Sequence, residues 1–360
     1  MIGDWLERKE VCICAGSGGV GKTTTSAAIA LGMAARGKKV AVLTIDPAKR
    51  LANSLGLSEL GNEERLVKAD VKGELWAMML DPKRTFDEVI EWHAPDERTR
   101  EAVLSNRIYQ ELSNAVAGSQ EYMAMEKLHE LHQEGRYDLL VLDTPPTRNA
   151  LDFIDAPKKL AAFIDSRALQ LFTTPGMLGL KVFGRGSGLV FSVLKRATGM
   201  DLLEDLSTFF SSFGSMTEGF RERAEHVNAL LADSRSAFVL VTSPRADAVE
   251  EAGWFQHRLL DAGLPFAGVV ANRVRSEVPK GDPSAELADL LGDDALVRRV
   301  LKTFEEERRL AAQDRANLAT LKKLLGRKPM IEVPHLDDDV HDLDGLRRMD
   351  THLFGGATSA

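Results

Sequence analysis

The sequence contains little of what marks several common classes of protein. Its 360 residues include only two cysteines, Cys12 and Cys14, and their spacing suits neither a disulfide nor a zinc site. The 46 lysines and arginines are outnumbered by 54 aspartates and glutamates, so the formal net charge is −8 and no nucleic-acid partner is expected. No stretch of about 18 apolar residues predicts a membrane span, and residues 1–10 lack the apolar centre of a signal peptide. We therefore expect a cytoplasmic protein.

The sequence does contain a series of short apolar runs separated by amphipathic segments. The predicted strands are residues 11–15, 40–45, 75–80, 139–142, 237–241, 267–271 and 329–333. Near-continuous apolar runs are typical of a parallel sheet that is covered by helices on both faces. The pattern predicts an α/β fold with a doubly wound, mostly parallel sheet, whose ligand lies at the C-terminal ends of the strands.

Two regions interrupt this alternation. Residues 97–134 are predicted to be helical, and residues 156–233 lack a convincing strand and are rich in Phe and Met. An apolar stripe in the first region is formed by Met123, Met125, Leu128 and Leu131. We predict a sheet domain of residues 1–155 and 234–360, and a helical, apolar-rich insertion subdomain of residues 156–233 with the helices of 97–134 nearby.

Residues 16–24 read Gly-Ser-Gly-Gly-Val-Gly-Lys-Thr-Thr and fit the phosphate-binding pattern G-x-x-x-x-G-K-[ST]. The motif follows an apolar run and opens a helical one, which is the strand–turn–helix context that it requires. Its glycines allow successive backbone N–H groups to point into one anion-sized hollow, and the helix N-terminus adds a partial positive charge. The motif predicts a P-loop that binds a nucleoside triphosphate.

The motif also assigns individual roles. Lys22 is expected to reach the β- and γ-phosphates, and the Thr23 hydroxyl is expected to bind Mg²⁺. Thr24 either lies near the α-phosphate or packs in the first turn of the helix. The predicted nucleotide-binding residues of the loop are Gly18, Gly19, Val20, Gly21, Lys22, Thr23 and Thr24.

Two aspartates directly follow predicted strands. Asp46 is placed to orient or deprotonate an attacking water, although an Asp-Pro pair is also a common turn. Asp143 follows four apolar residues in the Walker B arrangement and is predicted to hold Mg²⁺ through water; the alternative is a helix cap. The next residues include Pro145 and Pro146, which stiffen a loop suited to sense the γ-phosphate.

These motifs, together with Asn272 after the run 267–271, occur in order along nearly the whole chain. The set resembles the arsenical-pump and guided-entry (tail-anchored protein targeting) ATPases, within the deviant-Walker SIMIBI group. The resemblance implies Mg²⁺-dependent ATP hydrolysis in a nucleotide-closed dimer. It implies that Asp46 activates the water in switch I, that Asp143 is the switch II acid and that Asn272 reads the adenine edge. Outside this family, an Asn after a strand is more often a turn residue.

The chain departs from the family at Ser17, where the family's deviant lysine stands and contacts the partner's nucleotide. Arg50, Lys49 or Arg148 is predicted to supply the missing cation, and we favour Arg50 as the catalytic residue among them. Alternatively, the chain pairs with a paralogue that carries the lysine, so a homodimer and a heterodimer both stay open. There is no C-x-x-C pair for an interfacial zinc, and the two cysteines of the first strand cannot form the metalloid site of the arsenical branch.

Three functions are compatible with an ATP hydrolase of this kind. The first is the binding or delivery of hydrophobic, membrane-protein-type cargo, since flexible thioethers and aromatic rings adapt to varied apolar partners; the same side chains would equally form the core of a helical subdomain. The second is a soluble energising subunit of an anion or metalloid transporter, which requires a separate membrane protein. The third is a regulatory switch ATPase that uses the insertion as a docking surface.

Overall fold

The structure, a computed structural model, describes most of the chain outside the central region. The described residues are 1–46, 49–107, 109–110, 119–144, 209, 212, 216–277, 281, 283–336 and 338–355. Most of the predicted insertion at 156–233, with its predicted boundary at residue 156, lies outside these ranges.

The chain divides into two compact units. One unit comprises Met1–Met79, Gly135–Ala150 and Ala232–Ala360, and the other comprises Leu80–Glu134 and Leu151–Leu231. We call them the sheet unit and the helical unit. The helical unit takes in residues 80–134, which the sequence analysis placed only near the insertion.

The sheet unit contains eight strands within the described ranges. They are β1 (Val11–Ala15), β2 (Lys39–Thr44), β3 (Arg65–Leu66), β4 (Glu74–Met79), β5 (Leu139–Asp143), β6 (Ser236–Thr242), β7 (Phe266–Val274) and β8 (Met330–Pro334). Their order is β3-β4-β2-β5-β1-β6-β7-β8, and every neighbouring pair is parallel except β3–β4. The predicted α/β fold with a mostly parallel sheet is confirmed.

The central strands are buried along their whole length, because helices cover both faces of a doubly wound sheet. Every residue of β1, β5 and β6 is buried. The seven predicted strands all exist, with ends that differ by at most three residues. β3 was not predicted, since two exposed residues at an antiparallel edge give no apolar run.

Helices connect the strands of the sheet unit and recur in the described part of the helical unit. They are α1 (Ile2–Leu6), α2 (Lys22–Ala35), α3 (Arg50–Ser54), α4 (Pro82–His93), α5 (Glu97–Leu104), α6 (Ser119–Glu134), α7 (Thr217–Ala232), α8 (Ala246–Asp261), α9 (Ser284–Leu291), α10 (Asp294–Leu325) and α11 (Leu343–Phe354). Within the described ranges, none of them combines the length and the apolar character that crossing a bilayer requires.

The helix that carries the phosphate motif, α2, packs against α11 from the far end of the chain. A Cβ at Gly32 would lie 2.1 Å from Asp350 Oδ1 and 2.4 Å from the Phe354 ring, so only glycine fits this crossing. Arg36 Nη1 donates to Asp350 Oδ1 at 3.2 Å, and its guanidinium lies 3.8 Å from the centre of the Phe354 ring. Contacts from α11, near the other end of the sequence, therefore hold α2 in place.

The predicted apolar stripe on α6 is core rather than surface. Its residues, Met123, Met125, Leu128 and Leu131, are all at most 2% exposed. Elsewhere in the helical unit the ring of Phe220 on α7 lies against Phe86 and His93 of α4, at centroid distances of 6.1 and 5.4 Å. The described helices thus use their Met and Phe side chains to pack against one another.

A buried ion pair also lies in the helical unit. Glu126 on α6 is fully buried, and Arg223 on α7 donates to its Oε1. Tyr122 donates its hydroxyl to Oε2 of the same carboxylate at 3.1 Å. The charge of Glu126 is therefore matched by a cation within the unit.

Candidate functional site

The predicted site residues converge at the C-terminal ends of β1, β2 and β5. In the sheet register Asp143 lies beside Cys14 of β1 on one side and beside Thr44 of β2 on the other. The phosphate loop connects β1 to α2 directly above this edge, which is the position expected for a ligand in a doubly wound sheet.

The phosphate loop adopts a shape that requires glycine at two positions. Gly16 has φ 150°, and a Cβ there would lie 2.0 Å from the backbone oxygen of Val241 in β6. Gly21 has φ 91°, precedes the first residue of α2, and a Cβ there would lie 2.3 Å from Asn272 Nδ2. Left-handed backbone and close approach are both conditions that favour glycine.

Lys22 begins α2 and is 6% exposed. Its ammonium folds back over the loop and donates to the backbone oxygen of Ser17 at 2.8 Å. Burial lowers the pKa of Lys22, while the nearby charges of Asp143 and Asp46 act in the opposite direction. The ammonium is thus enclosed by the loop that is predicted to hold the phosphates.

Asp143 ends β5 and is fully buried. Its carboxylate accepts hydrogen bonds from the hydroxyls of Thr23 at 2.7 Å, Thr44 at 2.9 Å and Ser26 at 3.5 Å. Burial raises the pKa of Asp143 to about 6, against the lowering effect of these hydroxyls and of Lys22. The two predicted Mg²⁺-binding side chains, Thr23 and Asp143, are therefore in direct contact.

Asp46 follows β2 and is half-buried at the same edge. Its backbone N–H donates to the Thr44 hydroxyl at 3.2 Å, which links it to the group around Asp143. Arg50 Nη1 lies 4.0 Å from Asp46 Oδ2, and the Arg50 side chain is 66% exposed. Lys49 is also exposed. Of the three predicted replacement cations, Arg148 lies outside the described residues.

Asn272, in the last part of β7, lies against the loop rather than free in a cavity. Its Nδ2 donates to the backbone oxygen of Val20 at 2.9 Å, and the residue is 7% exposed. The same side chain borders a cavity of about 260 Å³ that is also lined by Thr24, Arg50, His335 and Leu336. The predicted role of Asn272 at the adenine edge stays a prediction.

A second cavity, of about 660 Å³, lies on the other flank of the loop and is bordered by Ser17, Gly18 and Gly19. Arg273 borders both cavities. The loop is therefore open on two sides.

Sequence reasoning missed two members of this site. Thr44 and Ser26 both donate to Asp143, but nothing in their local sequence distinguishes a hydroxyl at a strand end or on a helix from an ordinary one. The Pro145–Pro146 pair that follows Asp143 lies outside the described residues.

Comparison with known proteins identifies the family of the chain. The family model described as anion-transporting ATPase matches residues 9–354. The chain belongs to the anion-transporting ATPase family. It is 28% identical over 264 residues to the ATPase GET3 of Malassezia globosa, covering 72% of this chain and 71% of that one. It is 26% identical over 268 residues to the ATPase get3 of Neurospora crassa, covering 74% of each chain.

As a member of the anion-transporting ATPase family, the chain is an ATP hydrolase. The resemblance stated from the motifs is confirmed at the level of this family. A fully buried carboxylate and a hydroxyl in contact with it are hard oxygen donors of the kind that Mg²⁺ prefers, so Asp143 and Thr23 fit this ion.

Proposed function

We propose that this protein is a Mg²⁺-dependent ATPase that couples hydrolysis to the binding or delivery of hydrophobic cargo. The observation that carries the catalytic part is the contact of Thr23 with the buried Asp143 carboxylate, next to Lys22 at the start of α2. This is the donor set that a P-loop needs for a metal-bound triphosphate.

The chain's own residues account for the chemistry as follows. Lys22 leaves the Ser17 carbonyl and donates to the β- and γ-phosphate oxygens, while the Gly18 and Gly19 N–H groups complete the anion site. Thr23 and Asp143 would hold Mg²⁺, and the ion would neutralise part of the negative charge of the phosphates. Asp46 orients the attacking water and accepts its proton. The Gly18 and Gly19 amides belong to the backbone, so they need no reorganisation as charge develops on the leaving phosphate.

The cargo part of the proposal is supported by the family and by the composition of residues 156–233. Helix α6 buries Met123 and Met125, and α7 buries Phe220, so the described helices bury apolar side chains of their own. The proposal predicts that transmembrane-type peptides bind to the protein and alter its ATP turnover.

The description of the matching family favours a second function, the energising subunit of a transporter for anions. This function requires an integral membrane partner rather than released hydrophobic peptides. Co-purification distinguishes the two: a membrane transporter retained with the protein supports the second function, and hydrophobic segments retained with it support the first.

We further propose that the active form is a dimer in the cytoplasm. The family resemblance supports a nucleotide-closed dimer, and Ser17 leaves its composition open between two copies and a pair with a lysine-bearing paralogue. Light scattering with and without ATP, on the protein alone and mixed with such a paralogue, measures which form nucleotide stabilises.

The decisive experiment on the proposed function is calorimetry of the purified protein with Mg·ATP and Mg·ADP. Binding that weakens strongly when Mg²⁺ is chelated supports the assignment of Thr23 and Asp143. A folded protein that gives no heat with either nucleotide would refute the proposal.

A further inference from the structure

Two consecutive residues of β7 hold two consecutive carbonyls of the phosphate loop. Asn272 Nδ2 donates to the oxygen of Val20 at 2.9 Å, and Arg273 Nη1 donates to the oxygen of Gly19 at 3.0 Å. Since both donors come from one strand, the loop is attached to the sheet through this short segment.

The backbone of this segment is unusual in a way that serves the attachment. Arg273 has φ 60°, and it is the only residue other than glycine with a positive φ in the described part of the chain. The register between β7 and β8 shifts between Ala271 and Val274, and the Arg273 N–H donates to Asn272 Oδ1 at 3.0 Å. Such an irregularity turns side chains to a new direction and commonly lies beside a functional site. Here it directs both side chains onto the loop.

The contact of Arg273 differs from the contacts of the other arginines around the loop. Arg245 is paired with Asp247, Arg275 with Asp314, and Arg50 lies 4.0 Å from Asp46. The Arg273 guanidinium instead donates to the loop carbonyl itself. Arg273 borders both cavities, of about 260 and 660 Å³, and therefore lies at the flank of the phosphate loop.

A third carbonyl of the loop, that of Ser17, accepts a hydrogen bond from the Lys22 ammonium. In the proposed function Lys22 moves to the phosphates and this bond is lost. The bonds from Asn272 and Arg273 do not depend on that movement, so they are able to hold the loop both before and after nucleotide binds.

We propose that Arg273 is a positioning residue that fixes the phosphate loop in its nucleotide-accepting shape. Its backbone adopts the left-handed conformation, which is unfavourable for arginine, and this conformation directs the guanidinium to the Gly19 carbonyl. The inference rests on the proposed function, because it assigns the attached loop to phosphate binding. It identifies a residue that none of the recognised motifs includes.

The test separates binding from stability, using calorimetry and thermal unfolding of the full chain. Arg273→Gly removes the side chain but accepts φ 60° without strain, so the unfolding midpoint should stay equal or rise. Loss of the charge-assisted hydrogen bond should weaken the binding of Mg·ATP by about tenfold or more. The binding of Mg·ADP should weaken to a similar extent. Turnover at saturating ATP should change much less than KM. Arg273→Lys, which keeps a charged donor, should recover most of the affinity.

The matched control is Arg245→Ala, which removes an arginine from the same cavity whose partner is Asp247 rather than the loop. This variant should bind nucleotide as the original chain does. The inference is overturned if Arg273→Gly binds Mg·ATP with unchanged affinity, or if its affinity falls only together with its unfolding midpoint. If the original chain itself binds no nucleotide, the proposed function fails and this inference fails with it; unchanged binding in Arg273→Gly alone refutes only the inference.

Discussion

Among the described residues, each of the two units buries one carboxylate completely, and the two carboxylates differ in their partners. Asp143 in the sheet unit accepts hydrogen bonds from Thr23, Thr44 and Ser26, which are all neutral hydroxyls. Glu126 in the helical unit accepts from the guanidinium of Arg223.

The difference in partners agrees with the roles proposed for the two residues, a metal-binding role for Asp143 and a structural role for Glu126. A buried charge that is paired is stable where it lies, whereas a buried charge with neutral donors favours its protonated form or a metal ion. The raised pKa of Asp143, about 6, is consistent with the second case. Both carboxylates are equally buried, so burial alone does not distinguish Asp143 from Glu126.

The largest effect is expected at Lys22, in the phosphate loop of the sheet unit. Lys22→Ala should reduce ATP turnover by about a thousandfold, equivalent to about 4 kcal/mol of barrier, because the transferred phosphate loses its cation. Steady-state phosphate release measures this. Lys322→Ala, an exposed lysine on α10, is the control and should hydrolyse ATP at the original rate. Equal turnover in both variants would contradict the assignment.

The second prediction tests whether the buried pair of the helical unit is structural. Glu126→Gln leaves Arg223 without its anion and should lower the free energy of unfolding of this unit by about 3 kcal/mol. Urea unfolding followed by circular dichroism measures this loss. Basal ATP hydrolysis should be retained.

Two further variants sharpen this test. Glu218→Gln, which removes the exposed partner of Arg221 on the same helix, should change the unfolding midpoint little. The double variant Glu126→Met with Arg223→Met should recover most of the lost stability. If Glu126→Gln unfolds normally but loses hydrolysis, the carboxylate has a functional role that the comparison denies.

The third prediction uses the pKa of Asp143, measured on the protein free of nucleotide and metal. Between about pH 4 and pH 6 the folded state holds a proton on Asp143 that the unfolded state has released, so stability should fall as pH rises through this window. Asp143→Asn should abolish this decrease in stability with pH. At pH 7 its free energy of unfolding should exceed that of the original chain by roughly 2 kcal/mol. The same variant should lose Mg²⁺-dependent nucleotide binding.

The control for Asp143 is Asp261→Asn, at the exposed end of α8. This variant should follow the pH dependence of the original chain. A less stable Asp143→Asn at pH 7 would show that the hydroxyl bonds outweigh the cost of burying the charge.

The smallest expected effect compares steric demands in the two units. Gly32→Ala would press a methyl group on Asp350 and Phe354 and should lower stability by about 1–2 kcal/mol. Gly219→Ala in the helical unit meets only the partly exposed His93 ring, which is able to shift, and should be milder. Gly61→Ala meets no atom within 4 Å and serves as the neutral reference in thermal unfolding. Equal effects at Gly32 and Gly61 would contradict the tight crossing of α2 and α11.

The sheet and the phosphate loop were predictable from the sequence for a physical reason. Buried parallel strands are continuous apolar runs, and the loop requires glycine at fixed positions because of its backbone conformation. These are local requirements, so the local sequence records them. Asp46 and Asp143 were predicted in the same way, from their places at the ends of strands.

Other features depend on residues that meet only in the folded chain. Thr44 is 99 residues from Asp143, and its hydroxyl acquires a role only because β2 and β5 pair in this register. Arg273 acts through a strand irregularity that no residue pattern marks. The Met stripe of α6 showed the correct period, but periodicity does not reveal which helices cover it.

The crossing of α2 and α11 makes the nucleotide site dependent on residues separated from it by most of the chain. Arg36 and Asp350 are 314 positions apart, yet their pairing supports the helix that begins with Lys22. During synthesis, the phosphate motif leaves the ribosome long before its supporting helix does. A growing chain would therefore be unable to bind ATP firmly until residues 343–354 have emerged, which delays nucleotide loading until translation has passed the last of the described helices.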